Sequence, residues 1–296
     1  MSEVSILQIS DPHFGTEVPQ VVEALSALAA KLSPSLVVMS GDVTQRATTV
    51  QFDLAVQFLR QLPAPATLVV PGNHDVPLVN LALRVFAPFS RFNRAFGADV
   101  EPVHADAKML VIGVNTVMPL WHQQGLVSAR QVERVRKRLS QAAPEQVRVV
   151  VCHHPVQVIR REDDKNRLRG AEAAVRSWVA AGADLILGGH IHLPFLRPLR
   201  QHYPDLPRAA WVAQAGTAVS SRIRQGISNS VNFIQMIAGE DGPACRVERW
   251  DYAAADRAFL RIACEELALD RAAPKHHAPD RRASDRRMLE RRASLR

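Results

Sequence analysis

The sequence is poor in cysteine and aromatic residues, and it has no long apolar run. Its three cysteines, Cys152, Cys245 and Cys264, form no CxxC pair among the 296 residues. This odd number argues against a disulfide framework or a zinc knuckle and is typical of reduced thiols. No apolar run approaches the roughly 20 residues of a membrane helix, and the acidic Glu3 argues against a secretory signal. We therefore expect a cytoplasmic protein without a membrane span.

Positive charge is concentrated near the carboxyl end. The net charge is +8, and residues 271–296 carry nine Lys or Arg against three Asp or Glu, a net of +6. This stretch contains few large apolar groups, so burial cannot offset the entropy of ordering it. We expect a folded domain over residues 1–268 and a basic, disordered tail over 269–296. The tail is expected to be a solvated arm, and contact with nucleic acid or an anionic membrane is a weaker alternative.

Strands and helices alternate in the first half of the chain. Apolar stretches at 4–9, 36–39 and 68–70 are each followed by an amphipathic stretch with helical spacing. Three successive βα units predict parallel strands with right-handed crossovers. The third predicted helix has an apolar face made of Leu78, Leu81, Ala82, Val85 and Phe86.

The second half begins in the same way and then changes character. Residues 108–115 are predicted to form a central strand, and Ser128 and Gln131 have the spacing of a capping box that opens a helix. Strands at 147–151 and 185–187 flank a helix near 171–179, and Cys152 at the end of the first is expected to be buried. Alternation at 209–213, 230–237 and 246–252 predicts antiparallel strands. The pattern favours an α/β fold with two sheets packed face to face and helices outside.

Five short polar patches each follow one of the apolar runs. Parallel strands place such patches at the same edge of a sheet, where open α/β sheets bind their ligands. A single patch is most often a helix cap or a turn signal, whereas five in one chain indicate metal chemistry. The patches are Asp11-Pro12-His13, Gly41-Asp42, Gly72-Asn73-His74-Asp75, His153 followed by His154, and Gly189-His190-Ile191-His192.

The residue types suit a pair of divalent cations. Two cations held about 3.5–4 Å apart share a bridging oxygen, and Asp42 is suited to bridge them. Asp11 and His13 are two residues apart on an extended segment, so their side chains point the same way. His190 and His192 have the same spacing.

The third patch mixes three kinds of polar side chain. Asn73 offers a neutral amide oxygen to a cation, and His74 is placed to meet the substrate. Asp75 is expected to orient the imidazole of His74, and His154 is expected to support the neighbouring ligand His153.

This series of motifs resembles the calcineurin-like metallophosphoesterase superfamily, and within it the bacterial class III cyclic-nucleotide phosphodiesterases. The resemblance covers residues 4–250 and implies a four-layer αββα sandwich of two mixed sheets, with a two-metal site at the strand ends. It implies a metallophosphoesterase catalytic domain and two divalent ions, with Mn²⁺ or an Fe/Mn pair favoured and Zn²⁺ possible. The implied ligands are Asp11, His13, Asp42 and His192 for one metal, and Asp42, Asn73, His153 and His190 for the other.

The implied reaction is hydrolysis of a small phosphodiester, such as cyclic AMP, by a metal-bridging hydroxide. His74 would contact the scissile phosphate as general acid or charge stabiliser, and Asn73 would also lie near the substrate. Arg222 and Arg224 are candidate anion-binding residues, although a solvated loop is equally compatible with them. A homodimer is compatible with the resemblance.

Departures from the motifs of other subfamilies narrow the choice of subfamily within the superfamily. Protein phosphatases of the superfamily have Asp-Arg-Gly where this chain reads Gln45-Arg46-Ala47, and Glu where it has Asp75. A nucleotide-lipid pyrophosphatase, a nonspecific nuclease and a broad phosphatase remain alternatives. So does a binding protein on a degenerate enzyme fold, although such proteins lose ligands that this chain keeps.

Phenylalanines recur in the spacer between Asp75 and His153. Most of them are expected in the core or between helices, and one or two are candidates for the substrate pocket. They are Phe86, Phe89, Phe92 and Phe96.

Overall fold

The computed structural model describes residues 4–121, 123–224, 226–239 and 242–270. Its strands, in chain order, are β1 (Ser5–Ile9), β2 (Leu36–Ser40), β3 (Ala66–Val70), β4 (Val103–Ala105), β5 (Met109–Val114), β6 (Val147–Cys152), β7 (Leu185–Gly188), β8 (Phe195–Pro198), β9 (Trp211–Gln214), β10 (Ser230–Gly239), β11 (Gly242–Ala253) and β12 (Ala258–Ala268). Its α-helices are α1 (Pro19–Leu32), α2 (Thr49–Gln61), α3 (Leu81–Phe86), α4 (Ser90–Phe96), α5 (Ala129–Ser140) and α6 (Ala171–Ala180).

The strands form two six-stranded mixed sheets. The first has the order β12-β11-β10-β1-β2-β3, and the second has the order β4-β5-β6-β7-β9-β8. Strands β1, β2 and β3 are parallel to one another, and so are β5, β6, β7 and β9. The predicted α/β class with two mixed sheets is therefore confirmed.

Three hydrophobic cores define four layers. Val38 of the first sheet and Val149 of the second lie in the core between the sheets. Phe52 of α2 packs on the outer face of the first sheet, and Trp178 of α6 packs on the outer face of the second. Because each sheet is apolar on both faces, both are covered on both sides, which gives the αββα sandwich.

Local signals set several helix starts. Thr48 caps α2 by accepting a hydrogen bond from the backbone of Gln51. The predicted capping box of Ser128 and Gln131 opens α5. Within the described residues, no helix is both long and apolar enough for a membrane crossing.

The predicted direction of the strand near 209–213 is wrong in part. Strand β9 is antiparallel to β8 but parallel to β7. The reason is that the chain first runs back along the sheet edge as β8 and then inserts β9 between β7 and β8, so that β9 runs in the direction of β7. The four residues of β8, like the three of β4, are too few to show a period in the sequence.

The apolar face predicted for the third helix does not face the core. Helix α3 begins at Leu81 after Asn80, whose side chain accepts from the backbone of Leu83 at 2.9 Å. Val85 is 53% exposed and Phe86 is 86% exposed, whereas Arg84 is buried and donates to the carbonyl of Pro119. Helical spacing identifies an apolar face but not the element that packs against it. The period alone was therefore insufficient to predict which face of α3 is buried.

The spacer phenylalanines pack mainly between helices. Phe92 is fully buried, and its ring lies 6.2 Å from Phe52 of α2 and 5.0 Å from Phe96. None of the four lines the cavity at the polar patches described below. Phe89, Phe92 and Phe96 therefore belong to the packing of α4 against the first sheet's outer core, whereas Phe86 is exposed at the end of α3.

The end of the described chain is tied to the second sheet. Leu269 packs against the core between the sheets, and the carboxylate of Asp270 accepts a hydrogen bond from the backbone of Ala209 at 3.2 Å. The domain boundary after residue 268 stays a prediction. The predicted basic tail from residue 271 onward lies outside the described residues.

Candidate metal centre

The five polar patches meet at one place between the two sheets. Asp11, Asp42 and Asn73 follow β1, β2 and β3, which are neighbours in the first sheet. His153 follows β6 and His190 follows β7, which are neighbours in the second sheet. The carboxyl ends of parallel strands thus bring polar side chains from both sheets to a single edge.

The backbone at these patches is unusual. Five residues that are not glycine have φ between 44° and 73°, the left-handed region that costs free energy for residues with a Cβ. Such conformations persist where the surrounding structure imposes them, and they concentrate at functional sites. The five are Asp11, His13, Asp42, His190 and His192.

Two glycines permit the close approach of the patches. A Cβ on Gly72 would lie 2.0 Å from the backbone nitrogen of Asp42, and one on Gly189 would lie 2.0 Å from Oγ of Ser10. Both distances are far inside van der Waals contact with groups that cannot move away. Any larger residue at either position would therefore push the patches apart.

The first cluster consists of Asp11, His13 and His192. Nε2 of His192 lies 3.2 Å from Oδ1 of Asp11 and 3.1 Å from Nε2 of His13. Nε2 of His13 lies 3.9 Å from the same Oδ1 atom of Asp11. Three potential ligand atoms therefore converge within 4.8 Å of one another.

The second cluster consists of Asp42, His153 and His190, whose ligand atoms also lie within 4.8 Å of one another. Nε2 of His153 lies 3.4 Å from Oδ1 of Asp42 and 3.2 Å from Oδ1 of Asn73. The other carboxylate oxygen of Asp42, Oδ2, lies 3.7 Å from Nε2 of His13 in the first cluster. The two oxygens of Asp42 thus face different clusters.

Backbone carbonyls orient two of the imidazoles. Nδ1 of His153 lies 3.0 Å from the carbonyl of Ser40, and Nδ1 of His192 lies 2.7 Å from the carbonyl of Arg222. A carbonyl only accepts hydrogen bonds, so each Nδ1 carries the proton. Each Nε2 is therefore the atom directed at the cluster, as in metal-binding histidines generally.

Burial and neighbouring charge set the protonation of the histidines. Burial lowers the pKa of His13 and of His190 to about 3, so both are neutral at pH 7. Burial also lowers the pKa of His153, but the carboxylate of Asp42 outweighs it and raises that pKa to about 9. In the metal-free protein His153 thus carries the charge that compensates Asp42.

The two carboxylates remain ionised. Burial raises the pKa of Asp11, but the imidazole of His192 holds it below its ordinary value. Burial likewise raises the pKa of Asp42, which His153 holds well below its ordinary value. The centre therefore presents anionic oxygens and imidazole nitrogens to a cation.

This donor set fits a hard or borderline divalent ion. Carboxylate, imidazole and amide oxygen suit Mn²⁺, iron and Zn²⁺, and no cysteine joins the clusters among the described residues. The clusters, buried and held by strained backbone, suggest divalent metal binding. The residues predicted as ligands are thus brought together, and the number and identity of the ions stay predictions.

His74 and Arg222 lie side by side at the edge of the first cluster. Nδ1 of His74 lies 3.0 Å from the carbonyl of Gln45, and its Nε2 lies 3.2 Å from Nη1 of Arg222. The same Nη1 donates to Oε1 of Gln45 at 3.0 Å and lies 3.4 Å from Nδ1 of His13. Arg222 therefore places a positive charge beside the first cluster, and its role in anion binding stays a prediction.

Asp75 supports the backbone of the site. Its carboxylate accepts hydrogen bonds from the backbone of Gly72, Val43 and Thr44 and from the hydroxyl of Thr44, at 2.8–3.0 Å. Burial raises its pKa to about 7. The predicted role of orienting His74 falls instead to the carbonyl of Gln45.

Two other candidate residues have partners of their own. Arg224 donates at 2.8 Å to both Glu162 and Asp163, so its charge is compensated. His154 is buried, its Nδ1 lies 2.8 Å from Oγ1 of Thr116, and its ring centroid lies 4.6 Å from that of His190. His154 thus packs behind a candidate ligand, which agrees with the supporting position expected for it.

The centre opens into a cavity of about 660 Å³, which is large enough for a nucleotide-sized molecule. Sequence reasoning missed Gln45, Gln123, Lys165 and Asn166, of which the last three line this cavity. Gln45 lies three residues after Asp42 of the second patch, so its position was a usable signal. The other three lie on loops, where no periodic pattern marks them.

Comparisons with known proteins agree with the geometry. The model of the family described as calcineurin-like phosphoesterase matches residues 4–194. No curated protein sequence matches the chain. Among solved structures, the chain is similar to the purple acid phosphatase PPD1 from yellow lupin (Lupinus luteus) seeds, with a TM-score of 0.65 and 11% identity. The match covers 90% of this chain and 54% of the lupin protein, so the chain spans about half of that protein's length.

A second similarity is to a smaller protein. Vacuolar Protein Sorting 29 from Cryptosporidium parvum matches with a TM-score of 0.46 and 13% identity, over 90% of this chain and 98% of that one. The family match spans well over half of the chain, and the His/Asp clusters lie within the matched residues. The chain therefore belongs to the calcineurin-like phosphoesterase family, which together with these clusters supports a metal-dependent phosphoester hydrolase.

Proposed function

We propose that the chain is a two-metal phosphodiesterase that hydrolyses a small diester such as a 3′,5′-cyclic nucleotide. One observation carries the proposal: the two oxygens of Asp42 face different clusters, 3.4 Å from His153 and 3.7 Å from His13. A carboxylate in this position suits a bridge between two cations. All the predicted ligands are present, which disfavours a non-catalytic binding protein.

A cation pair would activate a water molecule and neutralise charge on the phosphate oxygens. The donor set favours no single metal, and by family resemblance we propose Mn²⁺ or an Fe/Mn pair, with Zn²⁺ as an alternative.

The chain's own residues would bind and orient the phosphate. Arg222 lines the cavity and offers a fixed guanidinium to a non-bridging oxygen. Its partner Gln45 holds both this guanidinium and the ring of His74 in place. With Nδ1 of His74 bonded to a carbonyl, Nε2 is the atom that faces the substrate. As the doubly protonated ring, with the Nε2 proton directed to the leaving oxygen, His74 would donate that proton or stabilise the developing charge.

The proposal is tested first by substrate preference. We expect hydrolysis of bis(p-nitrophenyl) phosphate and 3′,5′-cyclic AMP in the presence of Mn²⁺ at a higher kcat/KM than p-nitrophenyl phosphate. Single-stranded DNA in the same assay tests the nuclease alternative. A clear preference for the monoester would contradict a phosphodiesterase and favour a broad phosphatase.

A variant of the shared carboxylate tests the two-metal site. Asp42→Asn removes one charge from both clusters, so we expect loss of activity together with loss of metal measured by elemental analysis. Asp53→Asn is the matched control, since Asp53 is exposed on α2 and forms an exposed ion pair with Arg94 at 3.4 Å. An Asp42→Asn protein with two ions per chain and full activity would remove Asp42 from the bridge.

A nucleotide-lipid pyrophosphatase is a second candidate, favoured by the exposed apolar helix α3. Val85 and Phe86 are exposed, and Arg84 donates to the carbonyl of Pro119, four residues before Gln123 in the wall of the cavity. Exposed apolar surface beside a polar cavity suits an amphipathic substrate. A UDP-linked lipid hydrolysed faster than cyclic AMP, with the advantage lost in Phe86→Ala, would favour this function.

A further inference from the structure

A second cavity opens beside the metal centre. It has a volume of about 580 Å³, and its wall includes Leu120, Trp121, Gln123, Gln124, Lys165 and Asn166. Gln123, Lys165 and Asn166 also line the cavity at the metal centre. The two cavities therefore adjoin, and a molecule bound at the centre extends naturally into the second.

An exposed tryptophan forms one wall of this second cavity. Trp121 is 50% exposed, and the guanidinium of Arg169 lies 5.2 Å from its ring centroid. Its backbone N–H donates to the carbonyl of Met118 at 3.0 Å, and an isolated bridge pairs Val117 with Gly125. A cation over an indole ring restrains the ring, so a large flat surface is held open beside the centre.

Apart from Leu120, the remaining wall is polar. Gln123, Gln124 and Asn166 offer amide donors and acceptors, and Lys165 offers an ammonium. Within the described part of the chain, the side chain of Lys165 makes no hydrogen bond or ion pair. An acyl chain would leave these groups unpaired, whereas a planar heterocycle stacks on indole and bonds to amides at its edge.

We propose that this second cavity is a nucleobase subsite, in which Trp121 stacks on the base of a substrate whose phosphodiester lies at the metal centre. The inference rests on the proposed function and specifies its substrate class as nucleoside-containing diesters. Trp121 is then a specificity residue. Lys165 lies at the junction of the two cavities, where it meets the charge of the phosphate or of a further phosphate.

The test compares two esters that release the same leaving group, thymidine 5′-(p-nitrophenyl phosphate) and ethyl p-nitrophenyl phosphate. We expect the protein to prefer the thymidine ester in kcat/KM. Trp121→Ala should lower this preference about 5- to 150-fold, the effect of losing one base–aromatic stack. Trp121→Phe should keep most of the preference, because phenylalanine also stacks.

Two further variants separate stacking from general apolar contact. Ile262→Ala is the matched control, because Ile262 is 59% exposed and lies on β12, away from both cavities. It should leave the preference unchanged. The proposal is overturned if Trp121→Ala leaves the preference unchanged, or slows both esters equally. An equal loss of preference in Phe86→Ala would also overturn it, because the recognised surface would then be broadly apolar.

Binding of 5′-AMP gives a readout that does not depend on catalysis. We expect 5′-AMP to quench the protein's fluorescence, and we expect Trp121→Phe to abolish that quenching, because Trp178 and Trp250 are buried and the half-buried Trp211 lines neither cavity. If quenching depends on Trp121 but no ester is hydrolysed, the proposed phosphodiesterase function is refuted and the nucleobase subsite is supported. If both esters are hydrolysed but quenching persists in Trp121→Phe, the phosphodiesterase function is supported and the nucleobase subsite is refuted.

Discussion

Nε2 of His13 and Nε2 of His192 lie 3.1 Å apart in the first cluster. Nδ1 of His192 is protonated through its bond to the carbonyl of Arg222, and His13 is neutral because burial lowers its pKa to about 3. Two nitrogens that face each other at this distance either share a proton or bind a common cation. The geometry thus suits two ligands of one metal ion.

Metal binding should depend on pH through His153. Its pKa of about 9 in the metal-free protein means that it is protonated at pH 7, and a protonated imidazole cannot bind metal. Affinity should therefore rise with pH, by about tenfold per unit, up to about pH 9. Calorimetric titration with Mn²⁺ in buffers of different ionisation enthalpy should show release of about one proton at pH 7.5. Binding without proton release would contradict the charged state of His153.

Replacement of His74 should separate catalysis from metal binding. His74→Ala should lower kcat about 10²- to 10⁴-fold, the usual contribution of a general acid. The metal content should stay that of the unaltered protein, because the ligands of both clusters remain. A loss of metal would instead make His74 a ligand, since its ring also lies within 4.8 Å of ligand atoms of His13 and Asp42.

Asp75 should be needed for stability. Asp75→Asn turns an NH₂ group toward backbone N–H groups that now donate to a carboxylate, and leaves a buried donor without an acceptor. We expect a loss of about 1–3 kcal/mol in the free energy of unfolding, measured by urea denaturation. Asp53→Asn, on the exposed face of α2, should have little effect. Equal stability of the two variants would mean that the four hydrogen bonds to Asp75 make no net contribution to the free energy of unfolding.

A buried ion pair should contribute more than an exposed one. Nη2 of Arg208 lies 2.8 Å from Oδ1 of Asp184, with both side chains largely buried. Asp184→Ala leaves a buried guanidinium without this partner, so we expect a loss of about 3–5 kcal/mol. The control is Glu172→Ala, whose pair with Arg176 on α6 is exposed and should be nearly silent. Similar denaturation midpoints for the two variants would contradict this difference.

One thiol of three should react in the folded protein. Cys264 is exposed on β12, whereas Cys245 is buried, and burial raises the pKa of Cys152 to about 12. A thiol-reactive reagent such as 5,5′-dithiobis(2-nitrobenzoate) should modify one group rapidly at pH 8 and three in urea. Cys264→Ser should remove the rapid phase. Rapid modification of a second thiol would show that one of the buried sites opens.

The layers of the fold and the convergence of the centre could be predicted from the sequence, and the reason is geometric. Strands β1, β2, β3, β6 and β7 are parallel or face one another, so residues that follow them meet at one edge. Asp11 and His192 were therefore placed correctly without any knowledge of loops. The burial of Cys152 was predicted on the same grounds, since it ends a strand covered on both faces.

What could not be predicted depends on distant partners. Arg224 resembled an anion-binding residue until Glu162, 62 positions away, was found to neutralise it. Similarly, the face of α3 was predicted from its period, but the structure buries Arg84 rather than Val85. The backbone strain at the ligands is also invisible in sequence, because Asp and His adopt ordinary conformations almost everywhere else.

The centre draws its ligands from both halves of the sandwich, because Asp11 and Asp42 belong to one sheet and His153 and His190 to the other. A cation bound there would link the two sheets, and its binding free energy would add to the stability of the folded sandwich. Removal of the cation by a chelator would then lower the free energy of unfolding as well as abolish activity. Thermal unfolding that separates the sheets would release the ions.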